Sequence, residues 1–197
     1  MAVPTTATSV HHRRRALAVT VLATLAIATL AGGVWWQQAA LPRRFAEVDP
    51  GRLYRSGEVA PHQLVHLQRD YHIGRIVSLL AADAPVTVAE RQAAERLGIE
   101  WCNVPLRGNG ASTAEDRRQI LTLLADPNAP PTLVHCAAGA NRTGLAVGLY
   151  RLHCQGWSLA SVLDEMRTFG FEDLPKHENL RAALATEAAA AQPANGG

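Results

Sequence analysis

Residues 135–144 read His-Cys-Ala-Ala-Gly-Ala-Asn-Arg-Thr-Gly, and no other stretch narrows so far what the chain can fold into. The segment Thr132–His135 before it reads as a buried strand. The pattern from about Arg142 to His153 reads as a helix closed by Gly156. Strand, short loop and helix in that order place the loop at a helix N-terminus, where free backbone N–H groups and the helix dipole favour negative charge. A loop of this length can also curl its amides inward as an anion nest. Gly139 lets the backbone turn, and Ala137, Ala138 and Ala140 keep the bowl uncluttered.

The side chains add chemistry to that geometry. A thiol is a poor nucleophile at its free pKa near 8.5, so a reactive cysteine needs an environment that stabilises the thiolate, and Cys136 stands where the loop amides supply one. Arg142 lies six positions on, and the loop folds its guanidinium back to grip two phosphoryl oxygens as a fork. Thr143 is placed to donate its hydroxyl toward sulfur, helping a thiolate depart. His135 can hydrogen-bond the loop backbone and hold its shape, while Asn141 and Gly144 complete the loop and the first helical turn.

Around this loop, apolar runs alternate with helical patterns, the signature of an α/β sheet. Strands are expected at Arg52–Arg55, on a sheet edge, and at Ile76–Leu80, within Ile99–Leu106 and at Thr132–His135. Helices are expected from Pro61 to before Gly74, from a capping box at Thr87 and Glu90 to Leu97, and from a second box at Ser112 and Glu115 to near Ala125. Ser158 caps a further helix running to Phe169, and a last one spans His177–Ala190. An α/β domain follows, occupying residues 51–181, with an Ala-rich helical end and a disordered tail over 182–197.

Ahead of that domain, residues 1–15 read as a disordered basic start and 37–50 as a linker. Between them, Ala16–Trp36 is uncharged and apolar, long enough to cross a bilayer as one helix, which takes roughly 20 residues. Trp35 and Trp36 suit an interfacial belt, and Arg13-Arg14-Arg15 predicts a cytoplasmic N-terminus with the following domain on the non-cytoplasmic side. A cleaved signal peptide, with Thr29-Leu30-Ala31 at its cleavage site, is the alternative. The net charge of +2 gives no basic stripe for nucleic acid. His62 and His66 stand at helical spacing, but no metal-site partner lies nearby, so a polar helix face is expected and no metal. Cys102 and Cys154 read as small core residues.

The sequence 135–144 resembles the signature His-Cys-x5-Arg-(Ser/Thr)-Gly of the protein tyrosine and dual-specificity phosphatase superfamily. Phe45 to Gly57, with Gly51-Arg52-Leu53-Tyr54-Arg55-Ser56, looks like the opening of the atypical dual-specificity phosphatases of plants and fungi and their bacterial relatives. Gly156-Trp157-Ser158-Leu159 followed by Leu163–Phe169 is similar to the same group's region after the signature helix. The resemblance implies a central, mostly parallel sheet flanked by helices, and a phosphocysteine formed at Cys136 and then hydrolysed, with no metal or cofactor. Its implied substrates are phosphorylated proteins or small phosphomonoesters.

Two departures stand out. The superfamily supplies a general-acid Asp from a loop upstream of the cysteine, and the matching Pro105–Gly110 contains no acid; Asp116 and Glu115 are the nearest candidates, although both suit a helix N-terminus, and Asp116 is the expected acid. Relatives acting on inositol pyrophosphates carry Lys, Arg or His within the loop, where this chain has alanines and Asn141. Phosphotyrosine or another phosphomonoester is therefore expected rather than a densely anionic substrate. The competing function is a membrane-anchored phosphate-binding module without catalysis. Arsenate reduction at a Cys-x5-Arg loop fits poorly, because such a loop usually opens its domain.

Overall fold

The structure, a computed structural model, describes residues 19–22, 24 and 41–191. It divides at residue 40 into two units. Of the first, Val19–Leu22 and Thr24 are helical; the rest of the expected apolar span 16–36 lies outside the described residues, as do the basic start and the terminal tail. Among the described residues no helix is long and apolar enough to cross a membrane.

The second unit is built on five strands among the described residues: β1 (Ala46–Asp49), β2 (Leu53–Ser56), β3 (Arg75–Ser78), β4 (Glu100–Asn103) and β5 (Thr132–His135). Their order across the sheet is β1-β2-β5-β3-β4. β1 runs antiparallel to β2, and the other pairings are parallel. The mostly parallel sheet is therefore as expected, with one shift at its edge. Residues assigned to the linker form β1, so β2 is an inner strand with neighbours on both sides.

Alternate residues of the strands feed two cores, as the period of 2 requires. Leu53, Val77 and Val134 point to one face, and Tyr54, Ile76 and Leu133 to the other. The second face is covered by α1 (Pro61–Tyr71) and α2 (Pro85–Leu97), through Leu64, Leu67, Ala93 and Ala94. The first is covered by α3 (Ala114–Ala125), α4 (Asn141–Gln155), α5 (Leu159–Thr168) and α6 (Glu178–Ala191). The helix stops at Gly98 and Gly156 are left-handed glycines, and Ser158 caps α5 by accepting from Ser161 N–H, all as their residue types dictate.

Three local expectations give way. α2 starts at Pro85, with Ala84 as its cap, so Thr87 and Glu90 lie inside the helix and are buried rather than capping it. α3 is boxed one residue later than expected: Thr113 Oγ1 accepts from Asp116 N–H, and Asp116 Oδ2 accepts from Thr113 N–H. Cys154 is exposed on the last turn of α4, outside the core.

Candidate active site

β5 carries Cys136 to the C-terminal edge of the sheet, and α4 begins at Asn141, so the intervening loop sits above the first turn of a helix that is buried almost throughout. Thr143 through Leu152 are all buried, which holds the loop against a rigid support. Gly139 adopts φ +73° in a crowded place. A Cβ there would come within 2.6 Å of Gly57 N and 2.8 Å of Ser56 C and O, so only glycine fits.

The Cys136 thiol is buried. Burial raises its pKa, but the Thr143 hydroxyl and backbone N–H, the Arg142 charge and the Gly139 N–H together outweigh it and draw the pKa below the ordinary value. Gly139 N–H donates to Sγ over 3.3 Å. The Thr143 hydroxyl also donates to Ser56 O at 3.3 Å. With a single proton it serves one acceptor at a time, and a charged sulfur is the stronger one. Arg142 fastens Nη1 on Leu79 O at 3.2 Å and Leu106 O at 3.3 Å. Its Nε and Nη2 have no partner among the described residues, and Arg142 lines the cavity with Cys136.

The loop's outward carbonyls are held by residues far away in sequence. Arg55, on β2 and fully buried, donates Nη2–H to Gly139 O at 3.0 Å and lies 3.7 Å over the Phe169 ring. Arg44 donates to Ala138 O at 2.8 Å, and Glu58 N–H donates to Ala137 O at 3.1 Å. Behind the loop, His135 Nε2 lies 2.7 Å from Glu90 Oε1, both buried, at ion-pair distance but out of line for a hydrogen bond. His135 thus faces a carboxylate of α2, and its own carbonyl accepts from Leu79 N–H at 3.0 Å.

Cys136 stands in a cavity of about 240 Å³. The loop residues Ala137, Ala138, Ala140, Asn141 and Arg142 form its base, and Arg44, Gly108, Gly170, Glu172, Lys176 and His177 wall it. His177 is buried; its Nδ1–H donates to Glu172 O at 2.7 Å, and Nε2 then accepts from Asn141 Nδ2 at 3.0 Å. Asp116 is not brought to the thiol. Its carboxylate is engaged in the α3 capping box and lines a separate cavity with Pro105, Arg107 and Thr113.

A buried thiol drawn toward its charged form, ringed by amides and guanidinium groups beneath a cationic cavity, defines a cysteine phosphatase architecture. Residues 40–187 match the tyrosine phosphatase family, and the chain belongs to it. It is 30% identical over 139 residues to the dual specificity protein phosphatase TpbA of Pseudomonas aeruginosa, covering 70% of this chain and 60% of that one. To the inositol diphosphatase DSP4 of Arabidopsis thaliana it is 33% identical over 133 residues, 65% of this chain and 64% of the relative. The chain thus spans about three fifths of the length of these curated relatives. Among solved structures, P. aeruginosa TpbA in complex with phosphotyrosine has a TM-score of 0.57 at 27% identity, covering 77% of this chain and 96% of that one. The catalytic core of the yeast phosphatase SIW14 shares the fold, with a TM-score of 0.65 at 24% identity over 75% of this chain and 87% of that one.

Glu90, Arg44, Glu172 and His177 escaped sequence reasoning as parts of the site; the sequence makes Arg55 and Ser56 candidates to approach it, with a structural role on an edge strand as the first expectation. A charged residue within a strand, Arg55, and a histidine at a buried strand end, His135, both need partners.

Proposed function

We propose that the chain is a cysteine-dependent phosphatase that hydrolyses phosphomonoesters, aryl phosphates such as phosphotyrosine among them. The observation that carries the reading is a buried Cys136 whose sulfur accepts from Gly139 N–H at the base of a cavity it shares with Arg142. In the first step the thiolate attacks phosphorus, the Sγ–P bond forms and the bond to the leaving oxygen breaks. The loop N–H groups and Arg142 hold the equatorial oxygens, where charge accumulates. Water then displaces Cys136 from phosphorus, and the Thr143 proton and Gly139 N–H stabilise the departing thiolate. TpbA is named a dual specificity phosphatase, which supports this class of substrate.

A second substrate reading rests on the cavity wall. The loop lacks extra cations, yet Arg44 and Lys176 enter the cavity from outside it. That brings a densely phosphorylated substrate back into range, and DSP4 and SIW14 are named inositol diphosphatases. Attachment to a membrane through residues 16–36, with the domain on the non-cytoplasmic side, is part of the proposal; the attachment rests on the apolar run alone and the orientation on Arg13-Arg14-Arg15. A reporter enzyme fused after Gly197 and active only in the cytoplasm would overturn the orientation.

The deciding experiment is hydrolysis of 4-nitrophenyl phosphate by the full chain beside Cys136→Ser. Turnover lost in the variant supports the phosphatase. A folded, reduced protein that binds vanadate without turnover leaves a phosphate-binding module instead. The ratio of rates on phosphotyrosine and on an inositol pyrophosphate separates the two substrate readings.

A further inference from the structure

We infer that Glu172 is the general acid of the phosphatase reaction, supplied from the loop after α5 in place of the acid missing from residues 105–110. The inference rests on the phosphatase reading above. Expelling an alkoxide or phenolate from phosphorus calls for a proton at the leaving oxygen, and a positioned acid is worth roughly 10²–10⁴ in rate. Among the residues lining the Cys136 cavity, Glu172 carries the only carboxyl group.

Its backbone is pinned and its side chain is not. Glu172 O accepts from His177 Nδ1–H at 2.7 Å and from Leu174 N–H at 2.9 Å. The preceding Phe171 is buried, with its N–H donated to Met166 O at 3.0 Å. The Glu172 carboxylate itself has no hydrogen-bond or ion-pair partner among the described residues. A fixed anchor with a free carboxyl is what proton transfer to a bound substrate needs. His177, on the same wall, has both ring nitrogens engaged, one by Glu172 O and one by Asn141.

The step balances in both directions. As Sγ–P forms and P–O breaks, the leaving oxygen takes the electron pair of the broken bond and the proton of the Glu172 carboxyl. In the second step the Glu172 carboxylate accepts a proton from the attacking water, the Sγ–P bond breaks toward sulfur, and inorganic phosphate leaves.

The test is the leaving-group dependence of kcat for the full chain, Glu172→Gln and Asp116→Asn, on 4-nitrophenyl phosphate and phenyl phosphate. Glu172→Gln is expected to lose about 10²-fold on phenyl phosphate and only a few-fold on the nitrophenyl ester, with KM little changed and with partial recovery in Glu172→Asp. Asp116→Asn is expected to leave the dependence as in the parent. Equal losses on both esters in Glu172→Gln, or a parent-like profile, would overturn the assignment, as would a steepened dependence in Asp116→Asn alone. A parent inactive even on the nitrophenyl ester would instead sink the phosphatase reading, and the acid with it.

Discussion

Replacing Arg55 by methionine should separate stability from activity. Its guanidinium is fully buried, and burial pulls its pKa from 12.5 to about 10, although the Glu165 and Cys136 charges pull the other way. That displacement corresponds to about 3 kcal/mol against the charged form, a cost the folded protein bears at neutral pH, where the group stays cationic. Against it stand the hydrogen bond to Gly139 O and the Phe169 stack. Orphaning the Gly139 carbonyl costs about 1–3 kcal/mol, and losing a desolvated cation–π contact costs about 2. These nearly cancel, so Arg55→Met should unfold in urea within about 2 kcal/mol of the parent. Arg55→Lys keeps a buried charge, a strongly hydrated one, without the fork or the flat stack, and should be the less stable of the two. Activity follows a different rule. Gly139 turns its carbonyl to Arg55 and its N–H to Cys136 Sγ, so freeing the carbonyl misaims a donor at the nucleophile. Loss of one such donor is worth about 10²-fold in kcat, read with 4-nitrophenyl phosphate. A methionine variant destabilised well beyond the lysine one, or one with unchanged kcat, would refute the reasoning.

Other perturbations test the neighbouring contacts. Gly139→Ala forces a Cβ against the Gly57 and Ser56 backbone at φ +73°; it should cost about 1–3 kcal/mol from the backbone conformation alone and lower Tm together with activity. Glu90→Leu leaves the buried His135 ring without the polar group it faces and should destabilise by about 1–3 kcal/mol, measured by denaturant unfolding, whereas the double replacement with His135→Phe should recover part of the loss. The rate of Cys136 alkylation by iodoacetamide should rise with pH to a midpoint below the ordinary thiol value, and Thr143→Val should move that midpoint upward, since the hydroxyl is the first of the groups lowering it. Because the folded pKa is the lower one, the thiolate's contribution to stability is full above the pKa of the unfolded thiol and disappears as pH falls through the folded value.

What the sequence reveals and what it hides divides along contact range. The phosphate loop, the strand before it, the stops at Gly98 and Gly156 and the cap at Ser158 are all local: a few adjacent residues decide φ, a cap or a period. The side chains that hold the loop in place come from far off. Arg55 lies 84 positions from Gly139, Arg44 lies 94 from Ala138, and His177 lies 36 from Asn141. No spacing rule ties such pairs together; for Arg55 the sheet order β1-β2-β5 does, by setting the end of β2 beside the end of β5. Ser56 and His135 are register partners in that pairing, which puts Arg55, Ser56 and Gly57 under the loop.

A register difference of one residue shows how closely the functional reading depends on local chemistry. The stretch 112–116 satisfies the capping-box pattern twice, as Ser112 with Glu115 and as Thr113 with Asp116. The first pairing leaves Asp116 inside the opening turn with its carboxyl free for other work. The second, which the fold adopts, binds that carboxyl to Thr113 N–H at 2.7 Å. Freeing it for catalysis would abandon an N-cap worth about 1 kcal/mol and move it out of the cavity it shares with Pro105 and Arg107. A proton donor on this side of the thiol is therefore costly to recruit. In the Cys136 cavity, Glu172 carries no such obligation, so with Thr113 rather than Ser112 as the cap the available carboxyl lies in the loop after α5 and not in the loop before the nucleophile.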